Sequence, residues 1–306
     1  MRVLFLPLSG DDLSCNKACA RPQQQPSHTP PHITEIVHMT TPRPTAFVMV
    51  STHHGPLLVN RHDYVLTASG GGGVGYELFN MSQFEMDETA FMKRLLDLRR
   101  QHRGDGVVAL DVGANIGIHT VEMARHMHGW GSVVAIEAQE RIFYALAGNI
   151  TMNNAFNARA IWAAVDTVEG SIDIPSLDYF KPSSFGSFEL KPALRHQHIG
   201  QDVDYVGGTK VRTRAITLDS LALPRLDFIK MDIEGMEMAA LEGALATIRA
   251  QRPTIFVEYV KSNIEQLTGW LLAQGYLLGR MEGNFVAIHA EQPEAVLLRD
   301  KAVVPS

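Results

Sequence analysis

Apolar and polar positions along this chain follow two periods, and the places where one gives way to the other mark its elements. Val107-Val108-Ala109-Leu110 is a continuous apolar run, as a strand needs when both of its faces are covered. Ile116, Thr120, Met123, Ala124 and Met127 follow at helical spacing. The alternation recurs: Ser132 to Ile136, Ala158 to Ala164, Phe228 to Met231 and Thr254 to Val257 read as strands, and Leu241, Ala244, Leu245 and Ile248 as one helix. After a helix near Ile264 to Leu272, Tyr276-Leu277-Leu278 and Asn284 to Ile288 read as a closing hairpin. Strands alternating with helices predict an α/β fold built on a doubly wound, mainly parallel sheet.

Upstream the pattern differs. Phe47 to Val50 and Gly55 to Val59 read as two short antiparallel strands, and residues 46–84 as a β-rich entry segment. Phe91, Met92, Leu95, Leu96 and Leu98 give an amphipathic helix over Glu85 to Arg100, which opens a main domain expected over 85–289, with a tail over 290–306. The run Gly70 to Gly75 has the glycine spacing of a phosphate loop, but Tyr76-Glu77 occupy the places of the required Lys and Ser/Thr. A mobile loop is the expectation there, since glycine frees unusual φ values and costs entropy to order. Residues 1–45 hold seven of the 15 prolines among Gln, Ser, Thr and His, which predicts disorder. Cys15 and Cys19, the only two cysteines, lie in this extension; a chain begun at Met39 would lack thiols, which suits a cytoplasmic location.

Composition narrows the function classes. With 45% hydrophobic residues, 20% charged and a net charge of -6, the chain suits a folded enzyme better than a polyanion binder, so no nucleic-acid partner is expected. No apolar run reaches the roughly 20 residues of a bilayer span. A homodimer is compatible with this composition.

Ligands of doubly wound sheets bind beyond the carboxyl ends of the strands. Here the first strand ends in Asp111-Val112-Gly113-Ala114-Asn115-Ile116-Gly117, a glycine turn leading into a helix whose free N–H groups can receive an acceptor. Asn115 and Ile118 stand where the second and third glycines of a dinucleotide fingerprint belong, which disfavours NAD. The second strand ends at Glu137, placed to accept hydrogen bonds from both hydroxyls of a ribose. Each carboxylate also has a plainer reading, Asp111 as a cap of the turn and Glu137 as a solvated strand end.

These segments resemble the FkbM family of S-adenosylmethionine-dependent methyltransferases. The resemblance spans roughly Glu77 to His289. It rests on Leu110 to Gly117, Asn149-Ile150 with Asn153-Asn154, Thr217 to Ser220, and Asp227-Phe228-Ile229-Lys230-Met231-Asp232-Ile233-Glu234-Gly235-Met236-Glu237 followed by Leu241 to Ala244 and Arg252-Pro253. It implies a Rossmann-like class I methyltransferase fold with a seven-stranded sheet, one strand antiparallel near the C-terminal edge, and S-adenosyl-L-methionine as cofactor. By the same resemblance Asp111, Gly113, Asn115 and Gly117 would bind the cofactor, the last three wrapping its methionine end, Glu137 would hold the ribose, Asp166 would lie near the adenine edge, and Asp232 would face the sulfonium and acceptor. Gln139 replaces a proline common in the family, and His119 an aromatic residue.

Methyl transfer asks chiefly for alignment, and a hydroxyl acceptor also has a proton to lose. Asp232 is the first candidate for general base, with Glu234 and His119 behind it. Glu234 and Glu237 have a structural reading as well, at the positive end of the helix after Gly235. Lys230 shares a strand face with Asp232, so the two are expected to pair. Asp232, Glu234 and Glu258 together could suit a divalent metal, but three carboxylates on separate strand ends are not diagnostic, and no metal is expected. The segment Ser171 to Arg214 is rich in aromatic, His and basic residues and, with the Gly70–Gly75 loop, could shape an acceptor pocket. The leading expectation is O-methylation of a small-molecule or glycan hydroxyl; an N-methyltransferase and a non-catalytic binding scaffold are the alternatives.

Overall fold

The computed structural model describes residues 43–67, 70–192 and 197–299. The expectation of disorder over residues 1–45 falls outside them apart from its last three positions, as do the readings of Cys15, Cys19 and Met39. The chain enters through β1 (Phe47–Thr52) and β2 (Gly55–Asn60), then β3 (Val65–Thr67) and β4 (Gly70–Gly72), α1 (Val74–Met81) and α2 (Met86–Arg103). Next come β5 (Val107–Val112), α3 (Ile118–His126), β6 (Gly131–Glu137), α4 (Glu140–Met152) and β7 (Ala158–Trp162). A small three-stranded sheet of β8 (Ala164–Val165), β9 (Gly170–Pro175) and β10 (Lys210–Ile216) follows. The chain continues through β11 (Phe228–Met231), α5 (Glu237–Glu242), α6 (Leu245–Gln251), β12 (Thr254–Glu258), α7 (Ile264–Ala273), β13 (Tyr276–Met281), β14 (Asn284–His289) and α8 (Val296–Arg299).

The main sheet has seven strands in the order β13-β14-β12-β11-β5-β6-β7. β14 runs antiparallel to both of its neighbours, while β5, β6, β7, β11 and β12 pair in parallel. The order reverses between β5 and β11, so the ends of these two strands open the crevice where such sheets bind ligands. Their sequences explain their central place. Leu110, Val112, Ile229, Met231, Ile255 and Val257 are all fully buried, and each such side chain contributes about 1.5–3 kcal/mol relative to remaining in water.

α2 buries Thr89, Met92, Leu95, Leu96 and Arg99, a stripe at three- and four-residue spacing, and stops at Gly104, whose positive φ of 73° lets its N–H reach Arg100 O. The Arg99 guanidinium is enclosed between Asp227 and Glu294, at 3.7 and 3.6 Å. Glu294 belongs to residues expected to form a tail, and this charge pairing with the burial of Leu298 folds Pro293–Arg299 back into a 3-10 turn and α8.

The structure alters two expectations about elements. Gly70–Gly72 pair with β3 rather than forming an open loop, and Gly73–Gly75 start α1. A Cβ at Gly75 would meet Asp63 O at 2.7 Å, so the glycines here permit close backbone packing. The single helix expected around Leu241 to Ile248 is split into α5 and α6 at Gly243, where a Cβ would meet Asp166 O at 2.4 Å. One amide ties the β1–β2 hairpin both to α4 and to the turn after β5: Asn149 Nδ2 donates to Leu58 O and Ile116 O, and its Oδ1 accepts from Leu58 N.

Candidate active site

The turn between β5 and α3 forms the floor of a cleft with about 1220 Å³ of free space, part of it open to solvent. Gly113, Asn115 and Gly117 all take positive φ (78°, 51° and 87°). A side chain at Gly113 would meet Asp232 O at 1.8 Å, so the turn lies directly against the end of β11. The N–H groups of the turn are consumed internally: Gly113 and Ala114 donate to Ile136 O, Asn115 to Glu137 Oε2, Ile116 to Asn115 Oδ1 and Gly117 to Ala114 O. The turn itself therefore offers shape and close approach, and the helix N–H groups of the sequence reading belong to α3, which begins at Ile118.

Glu137 is held at the end of β6 by two backbone donors, Asn115 N at 3.0 Å and Gln139 N at 2.7 Å, one on each carboxylate oxygen. Each oxygen retains acceptor capacity. Burial pushes its carboxyl up to about 7 against these bonds. Asp111 is fully buried beneath the turn, where Oδ2 accepts from Thr120 Oγ1 at 2.6 Å and Oδ1 lies 3.8 Å from Lys230 Nζ. Neither Asp111 nor Gly117 lines the cleft, and Asp166 lies outside it in an ion pair with Lys191 at 2.6 Å. Gln139, in place of the family's proline, donates through Nε2 to Phe185 O and so fastens the segment that covers one side of the cleft.

The other end of the cleft collects charge. Lys230 Nζ stands 3.4 Å from both Asp232 Oδ2 and Gly113 O, as the shared strand face predicted. Burial opposes its charge, but Asp232, Asp111, Glu85 and Glu258 outweigh burial and raise its pKa. Carboxylate oxygens of Asp232, Glu234 and Glu258 lie within 4.8 Å of one another. Burial, then repulsion from neighbouring carboxylates with Asp232 foremost, pushes Glu234 and Glu258 up. Glu234 is balanced by Lys261 at 2.7 Å. Glu237 instead accepts from Ile233 N, Gly235 N and Ser262 Oγ, which matches its structural reading at the helix start.

His119 is 6% exposed and faces Glu85, with Nε2 3.3 Å from Glu85 Oε2. Burial, with Lys230 and His54 nearby, lowers its pKa well below the usual value, so the imidazole is neutral. Gly73 and Val74 of the glycine run line the cleft; sequence reading missed Phe84 and Glu85, also from the N-terminal side. A lone carboxylate before a helix has no local signal of a cleft; only its meeting with α3 reveals it.

A parallel sheet with this strand order, a glycine turn against the fourth strand's end and an acidic residue closing the second define a class I, Rossmann-like methyltransferase fold. The model of the methyltransferase FkbM domain matches residues 111–278, and the chain belongs to the FkbM methyltransferase family, whose members use S-adenosylmethionine. A comparison with curated proteins found no match. Among solved structures, the chain is similar to the methyltransferase FkbM from Methylobacillus flagellatus KT, at 20% identity and a TM-score of 0.43, over 60% of this chain and 44% of that one. An O-methyltransferase from Bacillus cereus in complex with SAH is 16% identical, with a TM-score of 0.40, over 67% and 82% of the two chains. A putative caffeoyl-CoA O-methyltransferase from Staphylococcus aureus is 12% identical, with a TM-score of 0.43, over 70% and 88%. The chain thus spans less than half of the Methylobacillus protein. At such values the fold assignment rests on the strand order, not on these likenesses.

Proposed function

We propose that this chain transfers the methyl group of S-adenosylmethionine to a hydroxyl of a sugar, a glycan or a secondary-metabolite alcohol. One observation carries the cofactor half: Glu137, fixed by two backbone N–H groups beside the turn, keeps acceptor capacity on both oxygens for a vicinal diol. The donor set fits the cofactor, with Gly113 and Asn115 in the narrow turn against its methionine end. When bound, the cofactor supplies a methyl carbon on a sulfonium whose charge disappears on transfer.

The chain's own residues do the rest. Asp232, paired with Lys230, presents a carboxylate oxygen at the reacting end and holds the acceptor hydroxyl in line. Glu234 and His119 border the same space. Phe188 and the 184–187 segment cover the cleft and limit water. A carboxylate-rich reacting end suits an acceptor with a proton to lose, which supports the hydroxyl over a sulfur or carbon acceptor.

Calorimetric titration with S-adenosylhomocysteine tests the cofactor half, and Glu137→Ala is expected to weaken binding about 100-fold, roughly 2.7 kcal/mol. Unchanged affinity in that variant would overturn the assignment of Glu137. Methyl incorporation into methyl glycosides, secondary alcohols and amines tests the acceptor, with product expected from the first two. Product from amines alone would replace the hydroxyl reading with N-methylation. Asp232→Asn is expected to keep cofactor affinity and lose turnover; normal turnover would remove Asp232 from the reacting end.

A further inference from the structure

Glu85 is the one carboxylate of the cleft supplied from the N-terminal side of the family match, and the chain holds it in an unusual way. It occupies the N-cap position of α2 with φ 44° and ψ 49°, a left-handed conformation unfavourable for a residue bearing a side chain. It makes no capping bond to the helix it precedes. Its side chain, 39% exposed, lines the cleft with Lys230 and Asp232 and brings Oε2 to 3.3 Å from His119 Nε2 without hydrogen-bond geometry. The neighbouring residue is anchored from behind: Phe84 N donates to Nε2 of the fully buried His54, whose Nδ1 is 3.0 Å from Glu122 Oε1. A strained carboxylate, unused by its own helix and braced by a buried histidine, has the marks of a group placed for chemistry.

Resting on the reading of the cleft as a site of methyl transfer to a hydroxyl, we propose that Glu85, beside His119, is the proton acceptor of the reaction. In the step, the acceptor O–H bond breaks as its oxygen bonds to the methyl carbon, the methyl–sulfur electron pair stays on sulfur, and the proton passes to the Glu85 carboxylate. The alternatives in the cleft serve less well. Asp232 is paired with Lys230 at 3.4 Å, His119 is a weak base in its buried place, and Glu258 faces mainly other carboxylates. Glu85 is pushed up to about 8 by burial and by repulsion from Glu88, Asp232 and Glu77, with Lys230 opposing. The groups facing it are thus Glu77 on α1, Glu88 on α2, His119 on α3, and Lys230 and Asp232 at the end of β11.

The experiment uses the full chain with Glu85→Gln, and with Glu85→Asp as the conservative variant. In the ligand-free protein, carbon-13 labelling of glutamate carboxyls should show one signal absent from E85Q that titrates near pH 8 and moves when His119→Phe removes its neighbour. Titration in the ordinary carboxylate range near about 4.3, or no response to His119→Phe, would overturn the proposal. With methyl glycosides as acceptors, E85Q should lose about 10²–10⁴-fold in kcat with KM and S-adenosylhomocysteine affinity retained, and E85D should recover part of it. The pH–rate profile should lose its rise toward pH 8. Full kcat in E85Q would also overturn it. Failure of the unsubstituted protein to methylate any alcohol would instead count against the hydroxyl reading, while the carboxyl titration would still judge Glu85.

Discussion

Helix α3 carries two acid–histidine meetings that differ in every physical respect. On Glu122, Nδ1 of His54, Lys93 Nζ and Arg125 Nη1 converge, and their bonds and charges overcome burial to hold the carboxyl down to about 2. Three residues earlier, His119 faces Glu85, which has no Lys or Arg within ion-pair distance among the described residues and which burial and neighbouring carboxylates push up to about 8. The first carboxylate is matched with donors and serves the fold. The second is left in want of a partner, as are Glu234 and Glu258 in part, and such unmet groups gather where a ligand or a reaction completes them. The regions are connected, because the His54 that satisfies Glu122 also braces Phe84 beside Glu85.

The comparison can be broken most forcefully at Glu122. Glu122→Ala leaves buried His54 Nδ1 without its acceptor and Lys93 without its counter-charge, and should cost about 3–5 kcal/mol in urea unfolding, with S-adenosylhomocysteine affinity retained in the folded fraction. A stability loss under about 1 kcal/mol would place Glu122 with ordinary surface pairs.

A smaller effect sharpens the contrast through pH. Asp63 and Glu137, both at about 7, and Glu85, at about 8, are raised above the ordinary carboxylate range, mainly by burial. The folded state therefore binds more protons than the unfolded one, and stability falls as pH rises from about 4 through these values. Glu122, lowered to about 2, works the other way: its contribution is present above about 4.3 and lost as pH falls toward 2. Thermal melts of the ligand-free protein should peak near pH 5 and decline by a few degrees on both sides. A midpoint still climbing toward pH 8 would contradict the raised values.

The smallest expected effect is at Asp166. Its pair with Lys191 is partly exposed and lies away from the cleft, so Asp166→Asn should change stability by less than about 1 kcal/mol and leave S-adenosylhomocysteine affinity within about tenfold. A larger loss of affinity would bring Asp166 to the adenine edge after all.

Much of the fold was legible because its signals are local. The all-apolar Val107–Leu110 run, the glycine turn after it and the two-residue spacing of Lys230 and Asp232 each state their geometry within a few positions. Glu137 was legible through its distance from Asp111. Less legible were features decided by distant partners. Gly70–Gly75 read as mobile because sequence alone does not reveal Asp63 waiting 12 residues upstream of Gly75. The break at Gly243 depends on the backbone of Asp166. Glu85 gained its place only when α2 and α3 met, while Glu137 and Asp111 were joined by one strand register.

The three hydrogen bonds of Asn149 carry a consequence for inheritance. One amide joins the entry hairpin to α4 and to the turn that begins at Gly113. A genetic crossover that exchanged the hairpin for unrelated sequence would have to bring a new mate for that amide, so the hairpin and the family domain are expected to be transmitted together as one module.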